Sequence, residues 1–413
     1  MNSNEITSFA SVTRKTLAER RSEVIDLCRD LVEARSVNPP GGTRDVARVV
    51  KDAIEGFGIS AELIAKNGTM PSVLARIDSG TPGSHLVLNV HLDTMPAGDE
   101  SLWSVDPYTL TPKDGRLYGL GIGNMKGSVA ATVHALAILN QHRQEWSGRV
   151  TFTAVSDEVV FGPNGAAHLL ESFPDLIADG LICGEGPGFK RLSIAEKGVL
   201  WLAISATGEP GHSSSVRKLR SASARLAYMI ERIDKMNGTR TTLPGELELL
   251  FPQDDPGREL TANVGTIQAG SFVGQVATSG QAEVDFRVPP GMTINEVEDS
   301  VKSLAAELDG VSVNRIKGWD PNWTAPDTTL CQAWHDAESA LSEQASTYAI
   351  RLPASDASRW RTRGVPALCF GPQPGLSAGI DDYAEEDEVI RTAELFATAS
   401  VAFLRRNQNS AGS

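Results

Sequence analysis

The sequence predicts an α/β fold in which helices cover both faces of a mixed, mainly parallel sheet, with a smaller α+β domain of the ferredoxin-like type inserted into it. The first observation is a short apolar run at residues 86–90, partly β-branched as expected for a buried strand. The second is the alternation of such strands with helical stretches before residue 195. The third is a change of pattern after residue 195, which indicates a small domain of a different type.

The first part of the chain begins with an amphipathic helix at residues 13–35, whose apolar side chains recur at helical spacing. Prolines and glycines at 36–42 end this helix, because neither residue type supports its continuation. The elements that follow alternate between helix and strand, as in parallel α/β proteins. They are a helix at 46–57, a strand at 86–90, a helix at 127–140 and a strand at 150–155.

The second part of the chain has the β-α-β-β-α-β order of the split βαβ layout. Its elements are a strand at 198–206, a helix at 222–236, a strand ending at 268, a strand at 281–287, a helix at 294–308 and a strand at 311–313. The chain then returns to α/β elements, which are a helix at 328–343, a strand at 367–370 and a helix at 386–405. We therefore divide the chain into a sheet domain, residues 1–194 and 317–413, and an inserted domain, residues 195–316.

The composition excludes several classes of function. The 413 residues include 38 basic and 52 acidic side chains, and the net charge of −14 argues against binding to a nucleic-acid backbone or an anionic membrane. No apolar run reaches the ~18 residues of a membrane span, and the start of the chain has no apolar signal core. The four cysteines are far apart and form no CxxC pair, so we expect reduced thiols in a cytoplasmic protein.

Histidine and acidic side chains follow several predicted strands, where the side chains of a parallel sheet reach a site crevice. His91 follows the first of these strands and is a candidate metal ligand, with Asp93 fixing its tautomer. Glu158 follows the next strand, where partial burial would raise its pKa and suit it to act as a general base. Glu185 follows a further apolar run and is a second candidate ligand. Taken alone, His91 would be interpreted as a hydrogen-bonded structural histidine, and Glu158 and Glu185 are equally consistent with ordinary turn or loop acids.

Two other motifs resemble known sites only in part. The glycine-rich segment 118–127 lacks the spacing and the later acid of a dinucleotide fingerprint, so we interpret it as a tight turn that presents Asn124. The segment 211–214 lacks the closing glycine of a nucleophile elbow, so a serine nucleophile is not indicated. Its His212 is either a donor to a developing oxyanion or an ordinary surface or capping histidine.

In combination, eight motifs in this order resemble those of the M20 metallopeptidase family over residues 20–405. That family includes acetylornithine deacetylase, succinyl-diaminopimelate desuccinylase, aminoacylase-1 and glutamate carboxypeptidase. The motifs are HLDT at 91–94, YGxGxxxMKG at 118–127, DE at 157–158, GE at 184–185, GHSS at 211–214, NVGTIQAG at 263–270, DFRVPPG at 285–291 and SDA at 355–357. The resemblance implies that the sheet domain is catalytic and that the inserted domain is a lid and dimerisation domain.

The resemblance also implies hydrolysis of an amide next to a carboxylate, with two zinc ions bridged by one Asp. The implied ligands are the His of HxD, the bridging Asp, a Glu after the catalytic Glu, the acid of the GE motif and a late His. His91 and Glu185 match two of these ligands, whereas Asn124 stands at the bridging position and Val159 at the second Glu. No histidine follows His335, so the late ligand is absent in any register.

These departures predict the loss of one metal site. Neutral Asn124 cannot screen two neighbouring dications as a carboxylate does, and Val159 offers no donor atom. The other site keeps His91 and Glu185 with Asn124 as a weak ligand, whereas catalytic zinc usually has three strong protein ligands. We therefore expect at most one divalent ion (Zn²⁺, Mn²⁺ or Co²⁺) or none. Further candidate ligands, whose carboxylates would favour a harder ion such as Mn²⁺, are Asp382, Glu385 and Glu386.

Three functions remain open at this point. The first is an M20-like amidohydrolase that cleaves a C–N bond in an N-acyl amino acid-like carboxylate. The second is a metal-independent enzyme that uses Glu158, His91 and His212 for another acid–base reaction, such as isomerisation, elimination or acyl transfer. The third is a non-catalytic binding protein, which the retained acid–base residues disfavour. We rank the amidohydrolase first, with these roles: catalysis by Glu158, Asp93 and His212, substrate binding by Asn263, Arg287 and Asp356, and metal binding by His91, Glu185 and Asn124.

The expected partners are a small-molecule substrate and a second copy of the chain, with no nucleic acid and no membrane. The homodimer is implied by the resemblance, through the edge strand and helices of the inserted domain. Leu120 replaces a frequent arginine of the family, and the arginine that usually follows Asp356 closely is displaced to Arg359. Both departures indicate an unusual substrate.

Overall fold

The computed structural model describes residues 3–374 and 379–406. The chain forms two compact units. The first unit combines Met1–Ile194, Thr324–Ala349 and Ser355–Ser413, and the second combines Ala195–Trp323 and Ile350–Ala354. Within the described residues, no helix is both long enough and apolar enough to cross a membrane.

The described residues contain helices and strands with the following bounds. The helices are α1 (Ser3–Glu19), α2 (Arg21–Glu33), α3 (Arg44–Gly56), α4 (Gly127–Gln141), α5 (Ala166–Ser172), α6 (Ala222–Asp234), α7 (Gly245–Glu248), α8 (Ile294–Ala306), α9 (Thr329–Ala340), α10 (Ala357–Arg361) and α11 (Glu386–Arg406). The strands are β1 (Ala61–Ile64), β2 (Ser72–Asp78), β3 (His85–His91), β4 (Thr111–Lys113), β5 (Arg116–Tyr118), β6 (Arg149–Val155), β7 (Gly180–Cys183), β8 (Arg191–Glu196), β9 (Gly198–Thr207), β10 (Thr261–Ala269), β11 (Ser279–Val288), β12 (Val311–Trp319), β13 (Asn322–Trp323), β14 (Thr347–Arg351), β15 (Ala367–Cys369) and β16 (Tyr383–Glu385).

The main sheet of the first unit has the strand order β1-β2-β6-β3-β7-β15-β8. The neighbours β6, β3, β7 and β15 run parallel, whereas β1, β2 and β8 pair antiparallel towards the edges. The prediction of a mixed sheet is confirmed, but its parallel part is limited to the four central strands. The connections explain the difference, because α4 and α5 serve as crossovers after β3 and β6, whereas the loop from β1 to β2 is too short for one.

The carboxyl ends of the four parallel strands meet at one edge of this sheet. β3 is buried along its whole length and ends at His91. Its register continues beyond the strand, since the Leu92 N–H donates to the Val155 carbonyl and the Gly184 N–H donates to the Asn89 carbonyl, both at 2.8 Å. The segments that follow β3, β6 and β7 are therefore held side by side, which is where ligands bind in open α/β sheets.

The structure differs from the sequence prediction at the start of the chain. The predicted helix at 13–35 is two helices, α1 and α2, because Arg20 between them has φ −102° and ψ 15°, outside helical geometry. α1 also begins earlier, since Ile6 and Phe9 extend the apolar stripe and are buried. The short strands of the separate β16-β5-β4 sheet were not predicted, because three-residue strands carry no periodic signal.

The second unit contains an antiparallel sheet of order β10-β11-β9-β12. This is the β-α-β-β-α-β layout that the sequence indicated, with α6 and α8 packed on one face. The core between helices and sheet uses alternate residues of each strand, such as Leu200 and Leu202 of β9 and Val284 and Phe286 of β11. Because side chains alternate along a strand, the intervening residues lie on the opposite face.

His85 at the start of β3 gives a test of the packing. Burial, with the Arg149 guanidinium acting in the same direction, lowers the pKa of His85 to about 4, and its Nε2 lies 2.8 Å from Thr151 Oγ1. Histidines in an unfolded chain have a pKa near ~6.5. The contribution of neutral His85 to the free energy of unfolding is therefore complete above pH ~6.5 and is lost as the pH falls towards its pKa in the folded state, about 4.

We expect His85→Gln to reduce this loss by about 1–2 kcal/mol between pH ~7 and ~5, measured by urea unfolding. His168→Gln is the matched control, because His168 lies on α5 and is partly exposed. If the two variants reduce the pH dependence of the free energy of unfolding equally, burial of His85 is not the cause of the loss at low pH.

Candidate active site

Three buried side chains converge at the carboxyl edge of the parallel strands. His91, Glu158 and Glu185 each place a metal-ligating atom within 4.8 Å of the other two. Their exposed fractions are 2%, 6% and 2%. The strand order accounts for this arrangement, because the three residues end or follow the neighbouring strands β3, β6 and β7.

The main chain fixes the orientation of the His91 ring. Its Nδ1 donates to the Asp93 carbonyl oxygen at 2.9 Å, while the Asp93 carboxylate lies 3.8 Å away. Asp93 therefore sets the tautomer through its main-chain oxygen, while its carboxylate is too distant for a hydrogen bond to the ring. The other nitrogen, Nε2, lies 3.3 Å from Asn124 Oδ1 and 3.9 Å from Glu158 Oε2, so it faces the site.

The Asp93 carboxylate has a different partner, the segment that carries Glu158. It accepts hydrogen bonds from the N–H groups of Glu158 at 3.1 Å and Val159 at 3.0 Å. It also accepts one from Asn38 Nδ2 at 2.9 Å. One buried carboxylate thus positions the Glu158 backbone, and Asn38 joins the loop after α2 to the same group. Sequence reasoning missed Asn38, since a lone asparagine in a Pro-Gly-rich turn carries no distinctive signal.

Asp157 supports the same loop from the other side. Its backbone has φ +62°, in the left-handed region, and its carboxylate accepts from Asn38 Nδ2 at 3.1 Å and from the Asn164 side chain at 2.6 Å. A Cβ on Gly162 would lie 1.9 Å from Asp157 Oδ2, so this position has room for glycine alone. The two adjacent carboxylates thus point in different directions, since Asp157 binds its own loop while Glu158 lies beside His91.

The other candidate ligands are engaged elsewhere. Asp382 is fully buried, and its Oδ2 accepts a hydrogen bond from the Gly121 N–H at 2.8 Å. Glu385 and Glu386 form ion pairs with arginines of neighbouring elements, at 2.8 Å and 2.7 Å. Among the described residues, the cluster that could hold a metal ion contains none of these three carboxylates.

Asp356, at the start of α10, belongs to the electrostatic surroundings of the cluster. Burial, with the charges of Glu185 and Asp93 acting in the same direction, raises the pKa of Asp356 to about 6. The charges of Arg359 and His91 oppose this shift. Arg359 Nε lies 3.3 Å from its Oδ1. Its Oδ2 is buried and has no hydrogen-bond partner among the described residues. The structure therefore associates Asp356 with His91 and Glu185, although the sequence had suggested only a substrate contact.

The site concentrates negative charge away from water. Asp93, Glu158, Glu185 and Asp356 are all buried, and Arg359 is the cation paired with one of them. Buried carboxylates are costly unless a cation or hydrogen bonds compensate them. An imidazole nitrogen with carboxylate oxygens is a donor set that Zn²⁺ and Mn²⁺ accept. The residues present thus fit a divalent ion.

Three predicted site residues lie in the second unit. His212 Nδ1 accepts a hydrogen bond from the Ser214 N–H at 3.3 Å, so in this arrangement the proton of a neutral ring is on Nε2. Asn263 is exposed. Arg287 donates from Nε and Nη2 to Asp285 Oδ2, at 3.1 Å and 2.8 Å, which partly neutralises its charge. Sequence reasoning missed Asp285, although its position two residues before Arg287 in a strand puts both on one face.

Comparison with protein families gives a consistent result. The family model described as peptidase family M20/M25/M40 matches residues 87–401. A probable succinyl-diaminopimelate desuccinylase of Staphylococcus aureus strain Mu50 is 33% identical over 382 residues, covering 87% of this chain and 94% of the relative. An acetylornithine deacetylase of Proteus mirabilis is 27% identical over 383 residues, covering 89% and 92%.

Solved structures share the fold at lower identity. The M20 family metallo-carboxypeptidase of Sulfolobus solfataricus has a TM-score of 0.74 at 18% identity, covering 93% of this chain and 99% of that one. Human carnosine dipeptidase 1 also has a TM-score of 0.74, at 16% identity, covering 96% and 99%. A dinuclear metal-binding M20 peptidase of Bacillus subtilis has a TM-score of 0.71 at 14% identity, covering 94% and 99%.

Asp93→Asn tests the positioning of Glu158. The substitution keeps the size of the side chain but replaces one carboxylate oxygen with an NH₂ group. That group faces N–H donors and accepts no hydrogen bond, so the loop after β6 loses one of its acceptors. We expect stability to fall by about 2–3 kcal/mol in urea unfolding. Asp99→Asn is the control, because Asp99 is an exposed cap that accepts from Ser101 and asparagine also serves well as a helix cap, so this variant should lose clearly less stability. Similar losses in the two variants would refute the role of Asp93.

Proposed function

Because the chain belongs to peptidase family M20/M25/M40, we propose that it hydrolyses the amide bond of a small, carboxylate-bearing N-acyl amino acid. The protein is a hydrolase of the class that acts on C–N bonds, like the desuccinylase and deacetylase relatives. The observation that carries the proposal is the buried cluster of His91, Glu158 and Glu185, with the Glu158 backbone held by Asp93.

Glu158 is the general base in this proposal. Its carboxylate takes a proton from the attacking water as the oxygen adds to the amide carbonyl carbon. The same carboxyl group then gives the proton to the departing amine when the C–N bond breaks. Asp93 acts as a positioning residue, because its hydrogen bonds to the Glu158 and Val159 N–H groups keep the base in place.

His91 and Glu185, with Asn124 as a weaker ligand, would hold one divalent ion: Zn²⁺, Mn²⁺ or Co²⁺. Such an ion polarises the amide carbonyl and lowers the pKa of bound water. A second ion would lack ligands, since Asn124 is neutral and Val159 has no donor atom. Asp382 lies outside the cluster of possible ligands among the described residues, and its Oδ2 already accepts from the Gly121 N–H.

The second unit would supply the substrate contacts and act as a lid. His212 carries its proton on Nε2 when neutral, which is the state that donates to an oxyanion. Asn263 and Arg287 would bind the substrate carboxylate, with Asp285 orienting the guanidinium. Asp356 would contact the substrate from the first unit. We also propose a cytoplasmic homodimer, in keeping with the four buried free cysteines and the dimerisation domain that the resemblance implied.

Glu158→Gln tests the base directly. It keeps the size of the side chain but removes the proton acceptor, so kcat should fall at least ~100-fold. Activity would be measured on a panel of N-acyl amino acids, with Glu171→Gln as the control, since Glu171 is exposed on α5. Full activity of Glu158→Gln would exclude Glu158 as the base.

Metal analysis tests the proposed ion count. Purified protein should bind about one equivalent of Mn²⁺ or Zn²⁺ in a calorimetric titration. His91→Ala and Glu185→Gln should each weaken that binding at least ~10-fold. Binding of two ions would refute the single site. Turnover that survives chelation in metal-free protein would instead favour the metal-independent acid–base enzyme.

A further inference from the structure

The side-chain amide of Asn38, in the loop after α2, contacts two carboxylates at once. Its Nδ2 lies 2.9 Å from Asp93 Oδ2 and 3.1 Å from Asp157 Oδ1. All three side chains are buried, and all belong to the first unit. An amide NH₂ has two hydrogens, so one asparagine satisfies two acceptors. Asn38 therefore bridges two acids that flank Glu158, since Asp157 precedes it in the chain and Asp93 accepts from its N–H.

The charges of the two acids make this bridge important. Two ionised carboxylates repel each other strongly where water is excluded, unless hydrogen-bond donors lie between them. Their other hydrogen bonds come from neutral N–H groups of residues 158–164, in the loop after β6. Loss of the Asn38 amide would leave one oxygen of Asp93 and one of Asp157 near each other without the hydrogens that they share.

The main chain fixes the place from which the amide of Asn38 acts. The Asn38 N–H donates to the Thr94 carbonyl oxygen at 2.8 Å, and the Thr94 N–H donates to the Ser36 carbonyl oxygen at 2.9 Å. Val37, between these two residues, forms a parallel bridge with Thr94. The loop after α2 is thus held against the segment after β3, which carries Asp93. A residue that positions another group needs such a supported backbone.

We propose that Asn38 is a positioning residue of the active site, whose NH₂ group joins the Asp93 and Asp157 carboxylates and so holds the Glu158 segment. Its effect on Glu158 is indirect, because the amide contacts the two carboxylates and these bind the loop after β6. This inference rests on the proposed function for the role of Glu158 as the base, but the hold on the loop needs no turnover.

Two substitutions at position 38 vary the number of donated hydrogens. Asn38→Ala donates none, so the base is less well placed while substrate binding is unaffected. On the N-acyl amino acid of the panel that wild-type protein cleaves fastest, its kcat should fall about 10-fold with KM within about twofold. Asn38→Ser keeps one O–H donor and should recover part of the lost kcat.

Thr43→Val is the matched control. Thr43 lies in the same loop and is buried, and its Oγ1 donates to the Pro71 carbonyl oxygen at 3.0 Å. The substitution keeps the shape of the side chain and removes one hydrogen bond of the loop, without touching either carboxylate. Its kcat should stay at the wild-type value. An equal loss of kcat in Thr43→Val and Asn38→Ala would show that packing of the loop, not the amide, is responsible.

A double-mutant cycle shows whether the effect passes through Glu158. In the Glu158→Gln background the proton acceptor is already absent, so Asn38→Ala should lower kcat by less than about twofold. A purely structural role of Asn38 would lower kcat by the same factor in both backgrounds. That result would overturn the positioning role.

Hydrogen exchange measures the hold on the loop in the absence of turnover. The Glu158 and Val159 N–H groups donate to Asp93 and should exchange slowly in the wild-type protein. Asn38→Ala should speed exchange of residues 156–161 at least ~10-fold, and Thr43→Val should leave it unchanged. Asn38→Ser is measured in the same way and takes the place of Asn38→Ala if that variant does not fold.

The outcomes separate this inference from the proposed function. Unchanged exchange of residues 156–161 in the Asn38 variants overturns the inference even if the protein cleaves amides. Faster exchange in the Asn38 variants, in a protein that cleaves no member of the panel, supports the hold of Asn38 on the loop and overturns the amidohydrolase.

Discussion

The organisation of the candidate active site depends on one buried carboxylate, that of Asp93. It accepts hydrogen bonds from the main-chain N–H groups of Glu158 and Val159 after β6 and from the side chain of Asn38 in the loop after α2. The adjoining Asp93 carbonyl orients His91. A single residue thus couples the end of β3, the Glu158 segment and a distant loop, with its charge compensated by hydrogen bonds instead of an ion pair. Without it, neither the His91 imidazole nor the Glu158 segment would have a defined position.

Charge compensation is a second constraint on this site. The buried acids Glu158, Glu185 and Asp356 are concentrated where a divalent ion would offset them. The uncharged residues Asn124 and Val159 lie next to this cluster in the structure or the sequence. They add no negative charge of their own to the site.

Much of the fold and part of the site followed from the sequence. Strands β3 and β6 were predicted because buried parallel strands read as continuous apolar runs, and the candidates His91, Glu158 and Glu185 because they follow such strands. The break at Arg20 was not predictable, since it depends on tertiary packing, and the strands β4, β5 and β16 were missed because three residues carry no periodic signal. The Asp93 contacts were missed because a carboxylate's hydrogen-bond partners are set by loop conformation, which spacing does not encode. Strand alternation places Asp285 and Arg287 on one face, so their ion pair could have been predicted from the sequence, but it was not.

The hydrogen bond from Gly121 to Asp382 has a consequence for the stability of this region. Asp382 also exerts an attractive charge on the buried ammonium of Lys126, so its carboxylate serves the packing of this region. Replacing Asp382 with a neutral, apolar residue would remove the acceptor of the Gly121 N–H and the charge that attracts Lys126 at the same time. A change at position 382 would therefore affect the folding of the first unit as well as any ligand that binds nearby.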